Sequence, residues 1–329
     1  MGHDATLDVL AGLRVGHATD NQLYSGVTAF LFDRPTIASV AVLGGAPGGR
    51  ELGPLDPAMT VERIDAVVLG GGSAFGLDAA GGVQAALRQD GRGFLVAGQR
   101  VPLVPQAILF DLANGGDKNW GRFSPYRDLG YAAARAASAG PVALGSVGAG
   151  TGATTATVKG GFGAATAVTA SGHTVQAFAA VNALGNPLLA DGPWFWAAPF
   201  EVGAEFGGLG WPAKLPPDAT ALRLKARHPA ATTIGLVATD AALSKAQAQR
   251  LAIMAHDGLA RAVLPAHAPM DGDTIFAASI GDRTLADARE LTELGHAATA
   301  AFARAVARGV YEATSRPGGV PSWRERFGR

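Results

Sequence analysis

The chain has no cysteine among its 329 residues, which excludes disulfides, thiolate nucleophiles and Cys-ligated zinc. Charge is sparse too. Asp, Glu, Lys and Arg make up 16% of the residues, against about a quarter in an average globular protein. The 27 basic side chains balance the 27 acidic ones, and no basic run of five occurs. The electrostatic footprint that nucleic acid or an anionic membrane requires is therefore missing, and the expected partner is a small molecule or a peptide. No uninterrupted apolar run reaches the ~18 residues of a membrane span, and MGHDATLDVLAGLRVGHATD carries no basic stretch followed by an apolar one. A cytoplasmic protein is expected. The histidines (His3, His17, His173, His228, His256, His267 and His296) show no metal-ligand spacing such as H-x-x-x-H. They read as structural residues, and no metal or cofactor is expected.

Glycine, at 46 residues, and alanine are abundant, and small side chains at this density suggest closely packed layers. Short apolar segments bounded by glycine read as buried strands: Val40 to Leu43, Ala66 to Leu69, Phe94 to Val96, Thr174 to Val181 and Thr232 to Ala238. Helical periodicity is clearest over Phe75 to Leu87, Ser244 to Ala262 and Leu291 to Tyr311. The alternation is that of an α/β protein. Ala190 to Ala230, rich in Pro, Gly and Trp, reads as a long excursion, and the tail RPGGVPSWRERFGR as an irregular arm suited to a neighbouring subunit.

Among the motifs, GGGSAFG places Phe75 where a nucleophile elbow needs glycine. It reads as a tight strand-to-helix turn with Ser73 near the N-cap. VGAGTGA fits a dinucleotide fingerprint by spacing, but TTATVKGGFG after it is a poor helix with no acidic residue about 20 positions on. Its glycine-rich backbone retains a role as a source of N–H groups for an oxyanion or carboxylate; a nucleotide-binding protein without catalysis is the reading it would otherwise support. In PAHAPMDGDTIFAAS, Asp271-Gly272 is a turn signal and TIFAA a buried strand, so Thr274 stands where a loop enters the core. A threonine hydroxyl is a weak nucleophile until a base takes its proton, and an N-terminal threonine carries that base as its own amine. With an ordinary pKa of about 7.7–8.0, the amine is substantially neutral near physiological pH. It exists only if the bond before Thr274 is cut.

The blocks GLRVGHATD, GGAPGGRELGPLDP, VVLGGGSAFGLDAAGGV, VGAGTGATTATVKGGFG, TIGLVATDAALSKAQAQRLAIMAHDGLARA and MDGDTIFAAS, read in order, resemble the L-aminopeptidase/D-esterase family. That family includes β-peptidyl aminopeptidases and the 6-aminohexanoate (nylon) oligomer endohydrolase. The resemblance implies a single domain over 1–329 with a four-layer αββα sandwich, two stacked sheets flanked by helices. It implies self-cleavage between Asp273 and Thr274 into an α chain, 1–273, and a β chain, 274–329, which stay associated in a homotetramer. Thr274 would be the nucleophile, in a context closest to the nylon-oligomer branch. Lys159, in TVKGGFG, matches a family lysine near the nucleophile that would lower the amine pKa or bond the Thr hydroxyl. Asn182, in AAVNALGN, is the best side-chain oxyanion donor, because Ala231 stands where relatives read N-T-T-I-G; backbone is the other candidate. Asp287 and Glu290 would fold back to orient the new ammonium, or else begin a helix at LADARELTELG. The substrates implied are ω-amino-acid oligomers or related small amides, with amides and peptides of D- or β-amino acids as the alternative.

Overall fold

The glycine-bounded apolar segments form strands in two batches, one in each half of the chain. The computed structural model describes residues 6–225 and 231–328; His3, His228 and the end of the Ala190–Ala230 stretch lie outside them. In the first half, β1 (Leu13–Asp20), β2 (Ser25–Val42), β3 (Arg63–Gly70) and β4 (Gln106–Ile108) form one layer. Here β2 is antiparallel to β1 and β3, and β3 runs parallel to β4. Helices α1 (Ala79–Gln89) and α2 (Tyr126–Ala136) cover its outer face. In the second half, β5 (Phe162–Val168), β6 (Thr174–Asn182), β7 (Thr232–Ala242) and β8 (Thr274–Thr284) form the other layer, antiparallel except for β7 beside β8. Its outer face carries α3 (Lys245–Ala262) and α4 (Ala288–Tyr311). The long β2 joins the layers: after pairing with β1 and β3 it pairs antiparallel with β8 through residues 37–42.

Alternation along the strands divides the core. Ile275 and Ala277 of β8 face the helices, whereas Phe276 and Ala278 face the other sheet. In β6, Ala177 and Ala179 point one way, and Phe178 and Ala180 the other. The layer order is helix, sheet, sheet, helix, the expected αββα sandwich. Small residues do bring these layers close. A Cβ on Gly163 would stand 2.0 Å from the Ala305 carbonyl oxygen, and one on Gly258 2.3 Å from that of Thr299, so β5–α4 and α3–α4 contacts need bare backbone.

Several elements differ from the sequence reading. The Phe75–Leu87 segment is split into a single turn, Ser73–Gly76, and α1. Gly72, at φ 86°, occupies the N-cap of that turn and Ser73 makes no capping bond. Phe94–Val96 does form a strand, but in an exposed hairpin with Gln99–Val101, its side chains 50–61% exposed; apolar composition was a poor guide because no layer covers it. The tail forms α5 (Trp323–Phe327) behind a Ser322–Glu325 capping box. Trp323 is buried against Phe195, Tyr311 and Phe327 of the same chain, so this end closes its own core. Among the described residues no helix is long and apolar enough to cross a membrane.

Candidate active site

Thr274 opens β8 and is 1% exposed. Alternation puts it on the face shared with Phe276 and Ala278, and puts Asn182 on the face shared with Phe178 and Ala180. Both residues therefore stand at one end of the core between the sheets. The Thr274 hydroxyl donates to the Gly272 carbonyl at 2.8 Å. The carbonyl of Asp273, on the bond expected to be cut, accepts from two consecutive backbone groups, Leu43 N–H at 3.1 Å and Gly44 N–H at 3.2 Å. The Asp273 carboxylate is buried and equally committed: Oδ1 accepts from Thr233 N–H at 2.8 Å, and Oδ2 from His267 N–H and pairs with His267 Nδ1, both at 2.9 Å. Ala231 lies beside this loop, its carbonyl accepting from Gly272 N–H at 3.0 Å.

Asn182 and Lys159 are near neighbours but neither bonds Thr274. Asn182 Oδ1 accepts from Thr154 N–H and Lys225 Nζ, both at 3.0 Å, and Nδ2 donates to the Phe110 carbonyl at 2.9 Å. None of these bonds reaches Asp273 or Thr274. Lys159 is buried and donates to the carbonyls of Gly150, Ala153 and Gly160 at 3.1, 2.7 and 2.8 Å. Here the glycine-rich loop acts opposite to its sequence reading. Its carbonyls turn inward to hold a cation, while the N–H groups of Gly148 and Ala149 are taken by Thr19 and Thr28. The loop leads into a short helical turn, not the helix a nucleotide site requires.

Lys159 and Lys225 line a cavity of about 520 Å³ with Tyr24, Asp111, Asn114 and Thr154, roofed by Gly318–Val320 of the tail. Asp111 carried no sequence signal. Its Oδ2 accepts from Ser25 Oγ at 2.6 Å and its Oδ1 from Gly72 N–H at 2.8 Å, so GGGSAFG shapes a carboxylate site instead of supplying a nucleophile. Burial raises the Asp111 carboxyl above the ordinary range in spite of those bonds. Burial also lowers Lys159 and Lys225 to about 7, against the pull of nearby carboxylates. Asp271 is raised to about 6 by burial and by the adjacent Asp273 charge.

Asp287 and Glu290 are not brought to Thr274. At about 3.3 Å per residue, β8 carries the chain roughly 30 Å away before α4 begins. There Asp287 accepts from Arg289 and Glu290 N–H as the α4 N-cap, and Glu290 accepts from Ala286 N–H. The acidic pair serves its helix. The histidines inside the fold are packed groups: burial lowers His17 and His256 to about 4, leaving both rings neutral. Among the described residues no three His, Asp or Glu side chains gather as a metal site.

Two stacked sheets lie between helical layers, with the buried Thr274 hydroxyl where a strand starts at the inter-sheet core, a fold shared with solved aminopeptidases, one of which is described as a variant of the Ntn-hydrolase fold. Three solved structures resemble it at 21% identity. One is a Burkholderia sp. beta-aminopeptidase, TM-score 0.68, with 99% of this chain and 93% of that one covered. Another is the L-aminopeptidase D-Ala-esterase/amidase of Ochrobactrum anthropi, TM-score 0.67, covering 92% and 85%. The third is the PH0078 protein of Pyrococcus horikoshii, TM-score 0.67, covering 92% and 86%. Residues 4–320 match the model of peptidase family S58. An uncharacterised aminopeptidase of Mycobacterium bovis is 41% identical over 99% of this chain and 95% of its own, and one of Mycobacterium leprae 40% identical over 98% and 90%. The chain belongs to peptidase family S58 and is a hydrolase of peptide bonds.

Proposed function

We propose that this chain is a precursor that cleaves itself between Asp273 and Thr274, and that Thr274, freed as an N-terminus, then hydrolyses small amides. The reading is carried by the Asp273 carbonyl, held by two backbone N–H groups one residue before a buried hydroxyl. Once free, the Thr274 amine takes the hydroxyl proton as the attack on substrate begins. The acylated Thr274 is then released by water. The large and small chains stay together, because β8 is hydrogen-bonded to β7 on one side and β2 on the other. Lys159 lines the cavity where substrate enters, and Asn182 holds the lining residues Thr154 and Lys225 in place.

Intact mass is the direct test. The 33.2 kDa chain should give two fragments, the smaller beginning at Thr274. Thr274→Ser should still split; Thr274→Ala should remain whole and inactive, and a Thr274→Ala chain that splits at that bond refutes the mechanism. For substrate we favour ω-amino-acid oligomers of the 6-aminohexanoate type, since Lys225 in the cavity wall gives two of its three N–H groups to Asn182 and keeps one for a chain ending in carboxylate. The second reading, an aminopeptidase and esterase for D- or β-amino-acid amides, is favoured by the names of the similar solved proteins. Parallel turnover of aminohexanoate oligomers and β- and D-amino-acid amides separates the two. A cytoplasmic homotetramer completes the reading, and sedimentation of the cleaved protein tests its assembly.

A further inference from the structure

We propose that the N–H groups of Leu43 and Gly44 form the oxyanion hole for self-cleavage, so that the backbone does the work of a side-chain amide. The inference rests on the self-processing reading above. Ala231, beside the cleavage loop, has no side-chain donor, and the Asn182 amide bonds Thr154, Lys225 and Phe110 and not the Asp273 carbonyl. Leu43 and Gly44 are the groups that meet the Asp273 carbonyl oxygen, at 3.1 and 3.2 Å. Two consecutive N–H groups converging on one oxygen form an anion-binding concavity that carries no net charge and is fixed before reaction.

The surrounding loop holds this geometry. Gly45 N–H donates to the Ala268 carbonyl at 3.2 Å and Ala46 N–H to the Asp271 carbonyl at 2.7 Å. The strand after the cut is pinned to the same segment, Thr274 pairing with Val42. Close approach is possible because residue 44 is glycine: a Cβ there would stand 2.3 Å from Asp273 N and 2.5 Å from the Asp271 carbonyl oxygen.

In the first step Thr274 Oγ bonds to the Asp273 carbonyl carbon, and the π electrons of that carbonyl move onto its oxygen, where Leu43 and Gly44 N–H meet the negative charge. The intermediate collapses by breaking the carbon–nitrogen bond to Thr274, whose nitrogen receives the proton lost from Oγ. An ester and a free amine result. Water then adds to the ester carbonyl, placing charge on the same oxygen. The carbon–Oγ bond breaks, Oγ regains a proton, and Asp273 is left with a terminal carboxylate.

Replacing a backbone N–H by an ester oxygen tests this without touching a side chain, using suppression with the α-hydroxy-acid analogues of leucine at 43 and glycine at 44. Each replacement should slow the appearance of the Thr274 fragment by about 10²–10³-fold, the usual effect of losing one oxyanion donor. The same replacement at Ala46, which removes a shorter loop bond away from the reacting carbonyl, should slow it far less. Equal rates at all three sites, or unchanged rates at 43 and 44, would overturn the proposal while leaving self-cleavage standing. Failure of the unaltered chain to split would instead overturn the self-processing reading and this inference with it. Gly44→Ala adds a genetic check: its Cβ would push the cleavage loop away from Leu43 and Gly44, so a chain that is folded by circular dichroism should remain unprocessed, whereas normal processing would overturn the proposal.

Discussion

Removing the Asp273 carboxylate should loosen the cleavage loop before it affects anything else. The perturbation is Asp273→Ala in a Thr274→Ala background, where the chain stays whole and stability is measured without fragmentation. Three donors lose their acceptor: Thr233 N–H, His267 N–H and His267 Nδ1. The imidazole is 22% exposed and can turn to water, so the cost falls on the two backbone groups. At about 1–3 kcal/mol for the buried Thr233 donor left unsatisfied and about half that for the part-buried His267 N–H, the change should destabilise by roughly 1.5–4.5 kcal/mol. Asp273→Asn keeps one oxygen for Thr233 and should cost about half as much. Urea unfolding of the paired variants reads the difference. Midpoints agreeing to within about 0.5 kcal/mol would refute the argument, since surface changes fall in that range. With Thr274 restored, Asp273→Ala should also process slowly, because its carbonyl is no longer aimed at Leu43 and Gly44.

Acidity gives a signed expectation. Asp271 titrates near 6 in the folded chain, above its ordinary 3.8, so the fold retains a proton the unfolded chain releases and stability falls as pH rises through that interval. Lys159 and Lys225 titrate near 7 instead of 10.5, so above pH 7 the unfolded chain binds more protons and stability rises. The unfolding midpoint of Thr274→Ala should therefore be lowest near neutrality, with Lys225→Met flattening the alkaline limb; a midpoint falling steadily from about pH 7 to 9 contradicts this. Trp323→Ala empties a site packed by three aromatic rings and should cost about 3–5 kcal/mol by thermal or urea unfolding. It should also raise KM, because the tail ahead of α5 roofs the cavity and Pro321 accepts from Lys159 N–H at 2.8 Å; an unchanged KM would detach the tail from substrate binding. Arg304→Met leaves the largely buried Glu205 without its two-pronged partner at 2.5 and 2.9 Å. Arg308 still faces Glu205 at 3.8 Å, so the loss of two charge-assisted bonds should cost about 1.5–3 kcal/mol, and a melting temperature within a degree of the parent would refute it.

The elements that period and flanking residues identify are those whose burial is two-sided or sharply amphipathic. Thr232–Ala238 lies within β7, and Ser244 caps α3 with Gln247 closing the box. Phe94–Val96 shows the limit of that reasoning, since apolar content does not say whether a layer lies above it. At the site, the loop-to-strand position of Thr274 was legible. Asp111 was not, because its environment is assembled from Ser25 and Gly72, far away in sequence. Of the two roles that Asp287 and Glu290 offer, the helix start is the one observed, because closeness in sequence to Thr274 is undone by a strand eleven residues long. Leu43 and Gly44 could not be found by looking for reactive side chains, because what they offer is backbone.

The direction of the strands explains why these scattered groups meet. Parallel neighbours must be joined by a crossover, and α3 returns the chain so that β8 starts at the same end of the sheet as β7. Antiparallel pairing then makes β6 finish there with Asn182 opposite Thr232, and β2 finish there with Val42 opposite Thr274. The end of β2, the end of β6 and the starts of β7 and β8 are thus gathered by topology alone, with Leu43 and Gly44 the first residues beyond the pairing. A cut at the head of β8 releases one peptide bond while its ladders on both sides remain. The fold can therefore expose a new amine inside its core without giving up the strand that carries it.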